Sequence, residues 1–165
     1  SVSGVQTCAL PDGGASAEGF LEASVSGSPT GRTELSVTML PGAYAEYRDT
    51  PNGERISVHA NVPGTSGDFM VGEQSLRIYL LPYDGLRTYT LGPADGAGAA
   101  YAEVDDTYVF YAQYGNTLGS GSITLATRTE DRLTGEFSFV AEDDGQTSSV
   151  TITGSFDLPL VPDDG

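Results

Sequence analysis

Between Leu133 and Phe156 the chain reads LTGEFSFVAEDDGQTSSVTITGSF, two apolar-alternating arms around an acidic turn. Leu133, Phe137 and Phe139 share one phase of the first arm, and Val150, Ile152 and Phe156 share one phase of the second. A period of two puts every apolar side chain on one side of a pleated strand and is incompatible with a helix. Each arm also carries a glycine on that apolar phase, Gly135 or Gly154. Glycine weakens a strand, so its use there implies crowding, a bulge or a close approach by another backbone. With Glu142-Asp143-Asp144-Gly145 as a four-residue loop, Ala141 opposes Gln146 and Phe137 opposes Val150. Gly135 then opposes Ile152, and Leu133 opposes Gly154, so each glycine faces a large aliphatic side chain.

The same period recurs along the chain, punctuated by Gly, Pro, Asn and Asp. Strands are expected at 20–27, 34–39, 43–48, 55–62, 75–81, 87–92, 100–104, 107–114 and 120–128, ahead of the final hairpin. Asn52-Gly53 is a hairpin signal, and PADGAGAA (93–100) reads as a flexible connection. No segment has helical periodicity. About ten short strands at this spacing predict an all-β fold, an antiparallel β-sandwich or a partly closed barrel. At 165 residues the chain suits one such domain over 20–160, with a Gly/Ser-rich leader at 1–19 and a short tail at 161–165.

Charge narrows the partners. Twenty-three acids face seven bases, all Arg, for a net charge of -16. Nucleic acid and anionic membranes need a basic surface to release counterions, so neither is expected. Three settings fit such a balance: concentrated salt, a cation-rich extracellular medium, or a GC-rich genome that favours Arg. No apolar run reaches the roughly 20 residues that span a bilayer as a helix. Cys8 is the single cysteine, which excludes an internal disulfide framework. It is a candidate for an intermolecular contact or cross-link.

The order TYTLG (88–92), an aromatic-rich strand (107–114), GSITL (121–125), LTGEFSF (133–139) and VTITGSF (150–156) resembles an uncharacterised family of Bacteroidota-type surface lipoproteins with paired C-terminal G-x-F strands. The resemblance implies an exported all-β domain of unknown function and supplies no catalytic residues.

The residues themselves offer little chemistry. His59 is the only histidine, so any histidine-based dyad must use it, and on strand 55–62 it reads as an exposed or weakly bonded side chain. No His/Cys cluster has metal-ligand spacing, and no glycine-rich loop precedes a helix. Asp105, Asp106, Asp143 and Asp144 are the candidates for a weak calcium site, each also placed where β-proteins use Asp in turns. No other cofactor is expected. Tyr108, Tyr111 and Tyr114 are candidates for ligand or partner contact, since an exposed phenol ring offers an apolar face with a polar tip. The expectation is a non-enzymatic exported domain, at the cell surface, in the periplasm or secreted, that binds a protein partner or a glycan. The alternative is a structural subunit of an extracellular fibre, held together by strand addition of the leader.

Overall fold

The computed structural model describes residues 18–39, 43–63, 72–104, 107–113, 119–143, 145 and 147–163. They form eleven strands: β1 (Glu18–Ser26), β2 (Glu34–Met39), β3 (Ala43–Thr50), β4 (Gly53–Pro63), β5 (Gly72–Leu80), β6 (Thr88–Thr90), β7 (Ala97–Glu103), β8 (Tyr108–Ala112), β9 (Ser120–Arg128), β10 (Arg132–Glu142) and β11 (Ser149–Pro162). No helix occurs among the described residues, so none is long and apolar enough to cross a membrane. The all-β expectation holds. One correction concerns 93–100, whose second half opens β7. Ala97 and Ala99 are buried there, and small side chains carry too weak an apolar signal to mark a strand in the sequence.

The ladder runs β2-β1-β11-β3-β4-β5-β7-β8-β10-β9-β6, with β10 also paired to β11. It is best followed as two layers. One is β2-β1-β11-β10-β9-β6, and the other is β3-β4-β5-β7-β8. They join at two corners. Past its pairing with β1, β11 continues into a parallel contact with β3, Leu160–Pro162 against Ala45–Tyr47. At the far end of the β10–β11 pair, Glu142 pairs with Tyr111 of β8. The strand ladder therefore returns to itself, giving a sandwich partly closed as a barrel. Every other pairing between named strands is antiparallel.

Inward residues of both layers make one core, among them Leu21, Leu35, Ile56, Ile78, Ile123, Leu125, Leu133 and Ile152. Phe137 packs against Phe139 and Phe156 with ring centroids 6.0 and 6.3 Å away, while Tyr101 lies 6.5 Å from Phe110. The hairpin register differs from the sequence expectation. Phe137 opposes Gly154 rather than Val150, Gly135 opposes Phe156, and Ala141 opposes Val150. The cause is Asp143. Its carboxylate accepts from the Thr147 and Ser148 amides at 2.7 and 3.3 Å and from their hydroxyls at 2.7 and 3.1 Å. Those bonds organise a loop that spans 143–148 between the paired Glu142 and Ser149. The slip is four residues, an even number, so inward side chains stay inward. The glycines do relieve crowding, but against neighbouring strands and, at Gly135, the Phe156 ring rather than against opposing aliphatic side chains. A Cβ on Gly135 would stand 2.5 Å from the Thr124 carbonyl and 2.9 Å from Phe156 Cζ, and one on Gly154 would strike Glu22 and Ala23 of β1.

Two polar clasps tie the layers. Glu103 of β7 is fully buried, yet accepts from Ser28 Oγ at 2.7 and 2.8 Å, Thr30 Oγ1 at 2.7 Å and Tyr101 OH at 2.5 Å. A buried carboxylate survives only when its lone pairs are met, and here the β1–β2 turn supplies the donors. Burial, and then the bond to Glu103, hold the Tyr101 phenol above the ordinary tyrosine range against an opposing bond from Gln74. The second clasp is Arg128 of β9, which donates to both oxygens of Glu54 at 2.6 and 2.8 Å. Its guanidinium also lies over the rings of Tyr83 and Tyr47, 4.7 and 5.5 Å from their centroids. The two clasps stand toward opposite ends of β4 and β5: Glu103 opposes Gln74 near the end of β4, whereas Glu54 lies at its start.

Phe137→Ala is expected to destabilise the fold by about 3–5 kcal/mol, the usual consequence of opening an aromatic-sized cavity in a core. Urea denaturation checks it, and a loss below about 1 kcal/mol would contradict the core assignment.

Candidate functional site

Alternation that buries Ala45, Val58, Ile78, Ala99 and Phe110 turns their neighbours outward on the β3-β4-β5-β7-β8 layer. The registers of four strand pairs place Tyr44, His59, Arg77, Ala100 and Tyr111 side by side in one row. Four inter-strand gaps make that row about 19 Å long. A second row, Glu46, Ser57, Tyr79 and Gly98, runs beside it. Tyr44, His59, Tyr79, Ala100 and Tyr111 are half-buried, and Arg77 is exposed. This outward face carries aromatic rings, an imidazole, a carboxylate and a guanidinium together.

His59 is the best-defined member. Its ring stacks on Tyr44, centroids 4.8 Å apart and planes 16° from parallel. Its Nε2 lies 2.7 Å from Glu46 Oε1, an ion-pair distance without the alignment of an N–H···O hydrogen bond. Burial is the largest influence on the imidazole and pushes its pKa below the ordinary histidine value. Glu46 pulls the other way, while Arg77 and Arg55 add to the depression. The ring is therefore neutral at pH 7. Burial and Glu46 raise the Tyr44 phenol, with Arg77 opposing. Of the expectation of an exposed or weakly bonded histidine, the exposure is corrected, while Nε2 does lack an aligned hydrogen bond. The polar phase of β4 does face outward, but Tyr44 across the strand gap covers the imidazole.

A nucleophilic dyad would require a hydroxyl in hydrogen-bond reach of the base. Ser57 lies two residues along β4 from His59 and directly across from Glu46, yet no hydrogen bond joins it to His59 among the described residues. The row offers ring faces, hydrogen-bonding tips and one cation. Those are the elements of a recognition surface.

Of the three tyrosines singled out in the sequence, Tyr111 belongs to this row. Tyr108 emerges at the start of β8 opposite Glu103, exposed and in the other phase. Tyr114 and Cys8 lie outside the described residues, as do Asp105, Asp106 and Asp144. Of the four aspartates, Asp143 is the one described. Both oxygens of Asp143 are engaged by Thr147 and Ser148, whose bonds lower its pKa. No group of three or more His, Cys, Asp or Glu residues is gathered to hold a metal among the described residues. Sequence reasoning missed Tyr44 and Arg77 as partners of His59. For Tyr44 the signal is the turn at 51–53, which joins β3 to β4 and sets Tyr44 opposite His59; Arg77 reaches His59 through the separate β4–β5 pairing, which that turn does not fix.

The imidazole sets a pH dependence. Because the folded pKa lies below the unfolded value, the unfolded chain takes up the proton first as pH falls. The contribution of His59 to stability is thus complete above about pH 6.5 and lost as pH drops through the folded pKa. Denaturant midpoints between pH 8 and pH 5 are expected to fall for the wild type and to fall less steeply for His59→Gln.

A model of the family described as a domain of unknown function (DUF6252) matches residues 57–157 of the chain. That stretch begins within β4 and takes in most of β11, and it contains His59, Arg77, Ala100 and Tyr111. No curated protein and no solved structure matches the chain.

Proposed function

Since the chain belongs to the DUF6252 family, whose description assigns no activity, we propose that it is a non-enzymatic binding domain that holds a saccharide against the outward face of the β3-β4-β5-β7-β8 layer. The observation that carries this reading is the register-aligned row Tyr44, His59, Arg77, Ala100 and Tyr111. Sugar rings have apolar faces that stack on aromatic side chains and hydroxyl rims that take hydrogen bonds from polar ones. A flat row about 19 Å long suits an extended chain rather than an enclosed small molecule. Small Ala100 between Arg77 and Tyr111 leaves room for a ring to settle between the two. The proposed setting is extracytoplasmic, at a bacterial cell surface, in the periplasm or secreted. The similarity of the G-x-F strands to surface lipoproteins supports it.

Assembly by strand addition draws less support. At one outer edge of the first layer, Gln74 donates to the Glu34 carbonyl of β2, and at the other Asp95 takes the Thr90 amide of β6. Side chains that occupy edge groups hinder a neighbouring strand from pairing there.

Calorimetric titration with a panel of soluble oligosaccharides tests the binding reading. Tyr44→Ala and Tyr111→Ala are each expected to weaken the bound sugar about three- to tenfold, near 1 kcal/mol for one lost ring contact. Unchanged affinity in both variants would contradict this placement.

A further inference from the structure

The arginines are not distributed as the charge balance would lead one to expect. With 23 acids for seven bases, every guanidinium has carboxylates to choose from. Arg128 takes Glu54, Arg132 takes Asp157, Arg87 takes Asp84 and Asp95, and Arg55 takes Asp163. Arg48 and Arg77 are exposed and have no carboxylate partner among the described residues. Both face outward on the proposed binding layer, Arg77 in the row with Tyr44 and Tyr111, and Arg48 on β3 four residues from Tyr44. Arg48 also stands directly opposite Arg55, although like charges across a strand pair repel. The outward side of β3, β4 and β5 thus sets the guanidiniums of Arg48, Arg55 and Arg77 against the carboxylates of Glu46 and Asp163, a locally net-positive patch on a protein of net charge -16.

Resting on the saccharide reading above, we propose that the ligand is a carboxylated glycan, a uronic-acid-containing chain whose carboxylate pairs with the Arg77 guanidinium while its rings lie along Tyr44 and Tyr111. A guanidinium and a carboxylate are both planar and match as a two-point hydrogen-bonded fork. Arg48 lies about 13 Å further along the strands, four residues at strand rise, where it meets a second carboxylate of an extended chain. The surrounding negative field sets an upper limit on ligand charge. A densely sulfated polymer is repelled by the rest of the surface, whereas a chain with one charge per sugar pairs locally and pays less repulsion. Glu46 beside His59 serves the same end by restricting the cationic stretch to Arg77 on that side.

The test is calorimetry with a galacturonic acid oligomer, its methyl ester and a neutral glucan oligomer of the same length, using wild type, Arg77→Gln, Arg48→Gln and Tyr111→Ala. The acid is expected to bind about tenfold or more tightly than the ester, the scale of one hydrogen-bonded charge pair. Raising salt from about 0.05 to about 0.5 M should erase much of that difference, because exposed pairs are screened. Arg77→Gln should bring a short acidic oligomer, which does not reach Arg48, down to the affinity of its ester and leave the ester unchanged, whereas Tyr111→Ala weakens both. Arg48→Gln should weaken long acidic oligomers more than short ones. Equal binding of acid and ester, insensitive to Arg77→Gln, overturns the carboxylate inference and leaves the saccharide reading standing. No binding by any of the three sugars overturns both. Melting temperatures of the variants, all at exposed or half-buried positions, distinguish lost recognition from lost folding.

Discussion

The pairing of β10 with β11 is the contact on which the remainder is built. Eleven residue pairs join these strands, and each strand also serves two further neighbours at different points along its length. β11 gives its middle to β1 and its end to β3, while β10 gives its middle to β9 and its end to β8. The two layers meet through this pair at opposite ends. Removing the register between β10 and β11 would therefore displace both corners together. That explains the strict demand on size within it: Phe137 and Phe156 fill the core, and Gly154 and Gly135 stand opposite them because a side chain there would strike β1 or β9.

Much of this was legible in the sequence. Apolar periodicity located most of the strands and assigned the inward face correctly, because both depend only on neighbours in the chain. Strand partners were less legible, and the hairpin shows why. Its register depends on how many residues the turn consumes, and Asp143 organises a longer turn by capturing Thr147 and Ser148. Composition alone does not reveal that bond. Similarly, the start of β7 was hidden because alanine and glycine serve equally in connections and in crowded strands. The site was least legible of all. Tyr111 was visible as an exposed aromatic candidate, but the row needs five strands aligned in register, and its members lie up to 67 positions apart.

Polar groups divide into two kinds of work. Glu103 and the Arg128–Glu54 pair sit between layers, with their bonding capacity consumed by Ser28, Thr30, Tyr101, Tyr83 and Tyr47. Replacing Ser28, Thr30 or Tyr101 leaves the buried Glu103 carboxylate with an unmet lone pair, and replacing Glu54 or Arg128 leaves the other half-buried charge without its complement, which is why such groups specify how the layers sit on each other. The outward row is the reverse case. His59 is held in place by Tyr44 and Glu46, and its neighbours in the row sit on strands rather than on loops.

The parallel contact of β11 with β3 has a mechanical consequence. Tension applied to the chain beyond Pro162 runs along the axis of β11, which is flanked by β10 on one side and by β1 and then β3 on the other. Antiparallel hairpins loaded at their open ends unzip one hydrogen bond at a time. A strand drawn lengthwise between two flanks must instead break many of them at once. The domain can therefore transmit a pull along β11 to both layers at once.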